Sequence, residues 1–318
     1  MNIKQILVLP YIKVHNANAW SSPYTAGFPS VCAFGGAVHA LQRKYNENGF
    51  GDLEITGFAV ISHKFNMRAY RENTYSDLSV ISTANPLDKN GNRPSFVAEI
   101  KCEMEISLLC ELGKNNYDSE TLEEIAEIAS CLVNGNFRIA SGDVQLNVQQ
   151  ERKPYIANLD TENVEDEDYN KEIVQKLMPG YALIERRELM IESMKQGNDA
   201  LDALLEHITI YAEPNINSDK IEINRSRKEK GWLVPICTGY AAVSNLGKAT
   251  NSRSIDTPHC FAESMISLGE FKMLHRFQNI SSLLWHSIYD ENNGTYCYSQ
   301  YIDEKDEEDD DDIDLYML

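Results

Sequence analysis

Two stretches gather side chains suited to gripping a polyanion. In residues 15–29, Asn16, Asn18, Ser21 and Ser22 offer hydrogen bonds to phosphate oxygens and base edges, while Trp20 and Phe28 offer stacking faces. The Gly35-Gly36 pair lets another backbone come close, and His39, Arg43 and Lys44 add charge. The same Asn and Ser side chains can instead bond their own backbone, so the loop reads either as a ligand contact or as a self-capped turn. In residues 64–96, Lys64, Arg68, Arg71, Lys89 and Arg93 stand against Glu72, Asp77 and Asp88, and Asn90-Gly91 is a hairpin-turn signal. This excursion reads as a β-ribbon that persists because something binds it, or as a solvated loop.

Other chemistries find little support. His259-Cys260 is an isolated pair without ligand spacing, so no metal and no cofactor are expected. The seven histidines are scattered singly and could form an acid–base site only by converging in three dimensions. Phosphate-cradling glycine motifs are missing from the sequence. Thr56-Gly57-Phe58-Ala59-Val60 faintly resembles an aromatic RNA-recognition strand but lacks its opening basic residue, and reads as core. The seven cysteines include no CxxC pair and are odd in number, as expected of reduced thiols in a cytoplasm.

The formal charge of −20 over 318 residues would by itself argue against a nucleic-acid partner. It is segregated, however. Residues 303–314 carry −9 and residues 160–172 carry −6, whereas residues 1–100 carry +2 and residues 220–256 carry +4. A basic surface survives if the fold brings the last two together. No apolar run approaches the roughly twenty residues of a membrane span, and Pro10 and Lys13 break the Ile6-Leu7-Val8-Leu9 run that mimics a signal peptide.

The elements that must position these residues follow from periodicity. Ile6 to Val14 predicts a strand with an edge or bulge at Pro10, and Phe34, Val38, Leu41 and Tyr45 predict a helix. Leu53 to Ile61 predicts a second strand. Ile100 to Leu108 alternates as a third with one face buried. Thr121-x-x-Glu124 predicts a capping box ahead of a helix striped by Leu122, Ile125, Ala126, Ala129 and Val133, and Val144, Leu146 and Val148 predict a fourth strand. The order β-α-β-β-α-β is the ferredoxin-like split arrangement within an α+β chain. Residues 1–150 would form this domain with its ribbon at 64–96, residues 151–172 an acidic linker, residues 173–302 a mixed α/β portion and residues 303–318 an acidic disordered tail. In the mixed portion, strands are expected at Tyr181–Ile184 and Trp232–Ile236, and helices at Asp199–Ile208, Phe261–Leu268 and Ile280–Ser287.

Asn16-Ala17-Asn18-Ala19, Ser21-Ser22-Pro23, Gly27-Phe28-Pro29-Ser30, Phe34, Gly36 and His39-Ala40-Leu41-Gln42-Arg43 resemble the opening signature of a known family. It is the second Csy subunit of type I-F CRISPR-Cas surveillance complexes, the Cas-five-type member of the RAMP superfamily. The likeness continues through His63-x-Phe65, Asn85-Pro86-Leu87, Pro179-Gly180-Tyr181, Gly231-Trp232-Leu233-Val234-Pro235, Gly239-Tyr240 and Ser282-Leu283-Leu284-Trp285, to about residue 298.

The resemblance implies an antiviral, non-catalytic scaffold that caps the five-prime handle of a CRISPR RNA. Its implied partners are the large Csy subunit, as a heterodimer, the terminal copy of the guide-coating backbone subunit, and target DNA beside the PAM. Asn16, Asn18, Ser21, Ser22, His39 and Arg43 become expected handle contacts. The ribbon at 64–96 becomes a thumb that kinks the guide, with Lys64, Arg68, Arg71, Lys89 and Arg93 following from charge and position. Two rival expectations stand beside it: a RAMP-type endoribonuclease with His39 or His63 as general base, and an adaptor that touches protein alone. The tail from Asp303 to Leu318 is foreign to the family pattern, and reads as a solvated accessory or as a mimic that occupies a basic groove before RNA arrives.

Overall fold

An unbroken apolar run and a proline fix the first element, and the rest of the sheet is assembled on it. The computed structural model describes residues 3–300 except 74–75, 77, 81–85, 94–98, 114–116, 135–136, 147–151, 161–166, 216–221, 250–253, 255–256 and 278. The acidic tail, Asn85 and Val148 therefore lie outside the described residues.

Strand β1 (Ile3–Asn18) is longer than periodicity suggests. It slips register between Leu9 and Ile12, where Pro10 cannot donate and Tyr11 takes a left-handed φ of 51°. Tyr11 N–H then bonds the Ser107 hydroxyl at 2.9 Å. The bulge at Pro10 is as expected, but the strand is internal. A small hairpin, β2 (Trp20–Ser22) and β3 (Thr25–Ala26), leads into α1 (Val31–Glu47). Ser30 caps α1 by accepting from Ala33 N–H, and Phe34, Val38, Leu41 and Tyr45 are all buried, as their spacing predicts.

Strand β4 (Ile55–Met67) is followed by a two-residue ribbon, β5 (Ala69–Tyr70) and β6 (Ser79–Val80). The turn at Asn90-Gly91 is present, with Asp88 Oδ1 accepting from the amides of Asn90 and Asn92. Next come β7 (Lys101–Leu112), α2 (Ser119–Asn134), β8 (Arg138–Ile139), β9 (Gly142–Gln145) and β10 (Tyr155–Asp160). Helix α2 starts earlier than the capping box requires. Its first turn is held by Asp118 Oδ1, which accepts from Thr121 N–H at 2.8 Å, so Thr121 lies inside the helix.

The second half contains α3 (Glu167–Leu177), β11 (Tyr181–Glu185), α4 (Arg187–Lys195), α5 (Ala200–Ile208), β12 (Tyr211–Asn215) and β13 (Glu222–Ser226). It ends with β14 (Leu233–Ala242), β15 (Ala262–Met273), β16 (Trp285–Asp290) and β17 (Thr295–Ser299). Residues 155–160 and 167–172, read as linker, are thus a strand and the first part of helix α3. The two helices expected at 261–268 and 280–287 are instead strand β15, and a one-turn 3-10 helix (Ile280–Leu283) running into β16.

In the first half the strands lie in the order β9-β1-β7-β4, all antiparallel. The far edge of β4 is shared: Phe58 pairs with Trp285 of β16, and Ser62 with Tyr181 of β11. From β16 the ladder passes through β17, β14 and β15 to β11 and back to β4, so these six strands close on themselves. Helices α1 and α2 cover one face, over Leu9, Ile12, Phe58, Ile106 and Trp285. On the other face, α3 and two 3-10 turns cover Ile6, Val8, Ile61 and Leu109. That second layer corrects the expectation of a single buried face for β7, because Glu105, Ser107 and Glu111 are buried as well.

Several polar groups on this second face are tied together. The Glu105 carboxylate meets Arg152 and Lys64, each at 3.3 Å, and Arg152 lies over the Tyr11 ring. His63 stacks on Tyr11 with ring centroids 4.1 Å apart, Nε2 lies 2.7 Å from the Ser107 hydroxyl, and Nδ1 lies 2.8 Å from the Pro179 carbonyl. Burial, opposed by the Pro179 carbonyl, pulls the His63 pKa below that of a free imidazole. The fold therefore favours neutral His63. Its contribution to stability is complete above about pH 6.5 and is lost as pH falls through the lowered pKa. Urea midpoints at pH 7.5 and 5.5 should converge between wild type and His63→Gln; a gap that is the same at both pH values contradicts this.

Candidate nucleic-acid interface

The polar loop, the start of α1 and strands β14 and β17 enclose a cleft of about 370 Å³. Its floor is the first two turns of α1, from Ser30 to Gly36, with His39 one turn further on. No acidic residue occupies the first turn of α1, so the helix dipole and its free amides favour an anion there. A Cβ on Gly36 would meet nothing within 4 Å, so its backbone is open to a visitor.

The loop is built by its own side chains. Asn18 Oδ1 accepts from Trp20 N–H and its Nδ2 donates to the Trp20 carbonyl, both at 3.1 Å, fixing where the indole projects. Ser21 and Ser22 both bond the Thr25 hydroxyl, at 2.8 and 2.7 Å, and Ser22 Oγ also accepts from the amides of Tyr24 and Thr25. Ala140 and Ser141, with φ of 49° and 64°, form the two-residue turn between β8 and β9 that completes one wall.

Aromatic rings line much of the rest of the cleft. Trp20, Tyr240 and Tyr296 are each about two-fifths exposed, at 42%, 42% and 40%, so their ring faces are accessible. Tyr298 lies beneath them and accepts a 2.9 Å hydrogen bond from Tyr296 OH. It fits only because residue 35 is glycine: a Cβ there would sit 2.2 Å from the Tyr298 ring. Cys32 also lines the cleft, and burial pushes its thiol up to about 12, so it stays protonated and unreactive.

Of the expected contacts, Asn18, Ser21 and His39 meet at this cleft. Arg43 is exposed one turn beyond His39 on α1. Asn16 is exposed, with a left-handed φ of 60°, at a second bulge in β1. Ser22 is buried in the hairpin, where it serves the turn itself. Phe28 turns away from the cleft to pack on Phe34.

The cationic residues of 64–96 are not in the cleft. Lys64 pairs with Glu105, and the Arg68 guanidinium is bound to Glu103, which also receives His15 at 2.8 Å and Asn16 N–H at 3.3 Å. Although burial works the other way, these partners hold the Glu103 carboxyl below the usual carboxylate range. Arg71, Lys89 and Arg93 are exposed on the excursion. Phe58 is 2% exposed and packs on Tyr298, so no base can stack on it, as a core reading of that strand requires. Tyr240, Tyr296 and Tyr298 were not foreseen as site residues. The Tyr-Cys-Tyr alternation at 296–298 was the available signal for one face of a strand.

Among the described residues, no three His, Cys, Asp or Glu side chains gather to hold a metal, and no helix is long and apolar enough to cross a membrane. All seven cysteines carry free thiols.

A family model described as CRISPR-associated protein (Cas_Csy2) matches residues 7–298. CRISPR-associated protein Csy2 of Pseudomonas aeruginosa (strain UCBPP-PA14) is 32% identical over 313 residues, covering 92% of this chain and 94% of the relative. These two matches define a component of a CRISPR-associated system. The chain belongs to the Csy2 family.

Proposed function

We propose that the protein is a non-catalytic RNA-binding scaffold that caps the five-prime handle of CRISPR RNA in a type I-F surveillance complex. The observation that carries this reading is the cleft, where a helix N-terminus without acidic neighbours faces three half-exposed aromatic rings, an arrangement suited to a phosphate and its unpaired base. The strand order β9-β1-β7-β4, with α1 and α2 on one face, supports a ferredoxin-like RAMP domain as its platform. In this reading the large Csy subunit and the terminal backbone subunit complete the grip in the cytoplasm, and the excursion at 64–96 acts as a thumb. With a net charge of −20, the isolated chain binds handle RNA poorly and the heterodimer binds it well.

A non-catalytic role is supported by the state of His63, whose two ring nitrogens are both spent on Ser107 and Pro179. His39 lines the cleft without an acidic side chain among the cleft residues to orient it.

Arg43→Ala combined with Asn18→Ala should lower guide loading about tenfold or more, by removing one charge and the turn that aims Trp20. Recovery of guide RNA with the purified complex is the measurement, with thermal unfolding as the control for folding. Unchanged loading removes these residues from the site. Equal affinity of the isolated chain and the heterodimer, in a titration at fixed salt, contradicts the shared grip.

A further inference from the structure

A second surface feature belongs to neither the cleft nor the excursion. Phe28, Phe65 of β4, Tyr181 of β11, Trp232 and Phe271 of β15 line a groove of about 220 Å³, separate from the cleft. Their rings touch in series: Phe65 to Phe28 at 5.6 Å, Phe28 to Phe271 at 5.0 Å, Phe271 to Trp232 at 5.2 Å and Trp232 to Tyr181 at 5.6 Å between centroids. Trp232 is 52% exposed and Phe65 36%. Phe271 is buried beneath the row, so its open part is Trp232 and Phe65 with the partly buried Phe28 and Tyr181; aromatic surface gathered in one place, unlike single exposed apolar residues, marks an interaction site.

We propose that the segment 303–318 of the same chain covers it, with Leu315-Tyr316-Met317-Leu318 seated in the groove and the acidic run lying along the basic stretch that precedes Trp232. Three observations favour this occupant. The first is charge: residues 303–314 carry −9, while Arg225 near the end of β13 and Arg227, Lys228 and Lys230 between β13 and Trp232 are all exposed. Lys228 reaches Glu206 at 2.7 Å, and the other three extend the basic stretch. The second is composition, because four residues, three of them strongly apolar and one aromatic, follow directly on the acids.

The third is the place where the segment starts. The Gln300 side chain is fastened to β11, its Nε2 donating to the Leu183 carbonyl and its Oε1 accepting from Glu185 N–H. Leu183 pairs in register with Phe271 and lies two residues, about 7 Å, from Tyr181. The fifteen residues from Gln300 to Leu315 can span up to about 50 Å, so the segment reaches the groove with slack and at high effective concentration. The family match ends at residue 298, so the segment lies beyond the matched residues.

The test uses the full chain with a photoreactive benzoylphenylalanine at Leu315 or Tyr316, irradiated at low micromolar concentration and mapped by mass spectrometry. Crosslinks within one chain, to peptides containing Phe65 or Trp232, are expected. Their yield should fall at least fivefold when Arg225, Arg227, Lys228 and Lys230 are all changed to Gln.

Independently, acrylamide quenching of Trp232 is read in a Trp20→Phe background, where buried Trp285 stays silent. It should rise about threefold when Leu315, Tyr316 and Leu318 are changed to Asp. Crosslinks to another surface or to a second copy overturn the proposal. So does the lack of any crosslink from either position together with unchanged quenching.

Discussion

Changing Trp20 and Tyr240 together to alanine should weaken handle-RNA binding by the assembled complex about 100-fold or more. Each ring is exposed on the wall of the cleft, and base–aromatic stacking contributes roughly 1–3 kcal/mol per base, so two stacked bases account for about one and a half to four orders of magnitude, a range whose middle exceeds 100-fold. Neither ring belongs to the fully buried core, so the variant should keep its thermal transition. Trp20→Phe with Tyr240→Phe preserves both stacking faces and should keep most of the affinity. The readout is a titration with labelled handle RNA at one fixed salt concentration, since phosphate contacts alone can shift affinity by orders of magnitude with salt. A double-alanine variant that binds within threefold of wild type would remove the aromatic wall from the site.

The second large effect is on stability. Trp285→Ala should cost about 3–5 kcal/mol, a large share of the 5–15 kcal/mol that holds a typical domain together. Trp285 is fully buried, its backbone pairs with Phe58 of β4, and its Nε1–H donates to the Leu183 carbonyl at 3.2 Å. The indole therefore fastens the place where the ring of six strands closes. Its loss opens a cavity and frees the two halves of the sheet at one point. Guanidinium unfolding followed by far-UV circular dichroism measures this, and a loss below 1 kcal/mol would show that the closure holds without it.

How much of this was legible in the sequence depends on where each residue lies. Phe34, Val38, Leu41 and Tyr45 announced α1 because one face of that helix meets the core and the other meets water. Strand β15 was hidden for the opposite reason. It runs between β14 and β11, is covered by α4 and α5 on one side, and carries apolar residues on both faces, so Phe261, Met265 and Leu268 imitate a helical stripe. The two-sided burial of β7 was equally silent, because the layer that covers its second face comes from residues more than fifty positions later.

The site divides in the same way. Asn18, Ser21 and His39 were found because they cluster within one stretch of sequence. Tyr240 and Tyr296 join them only through the pairing of β14 with β17, which places these two tyrosines directly opposite each other. The cationic residues of 64–96 show the limit of charge counting. Lys64 and Arg68 are neutralised by Glu105 and Glu103 of β7, which no local pattern links to them.

The central claim is that the cleft between the β2–β3 hairpin, α1 and β17 holds the handle. The most direct measurement is photo-crosslinking in the purified complex, with a guide carrying 4-thiouridine at single positions in its five-prime handle. At one or more positions, crosslinked peptides should contain Trp20, Tyr240 or Tyr296. Crosslinks from every handle position that fall only on other subunits, or on this chain only around α4 and α5, would contradict it.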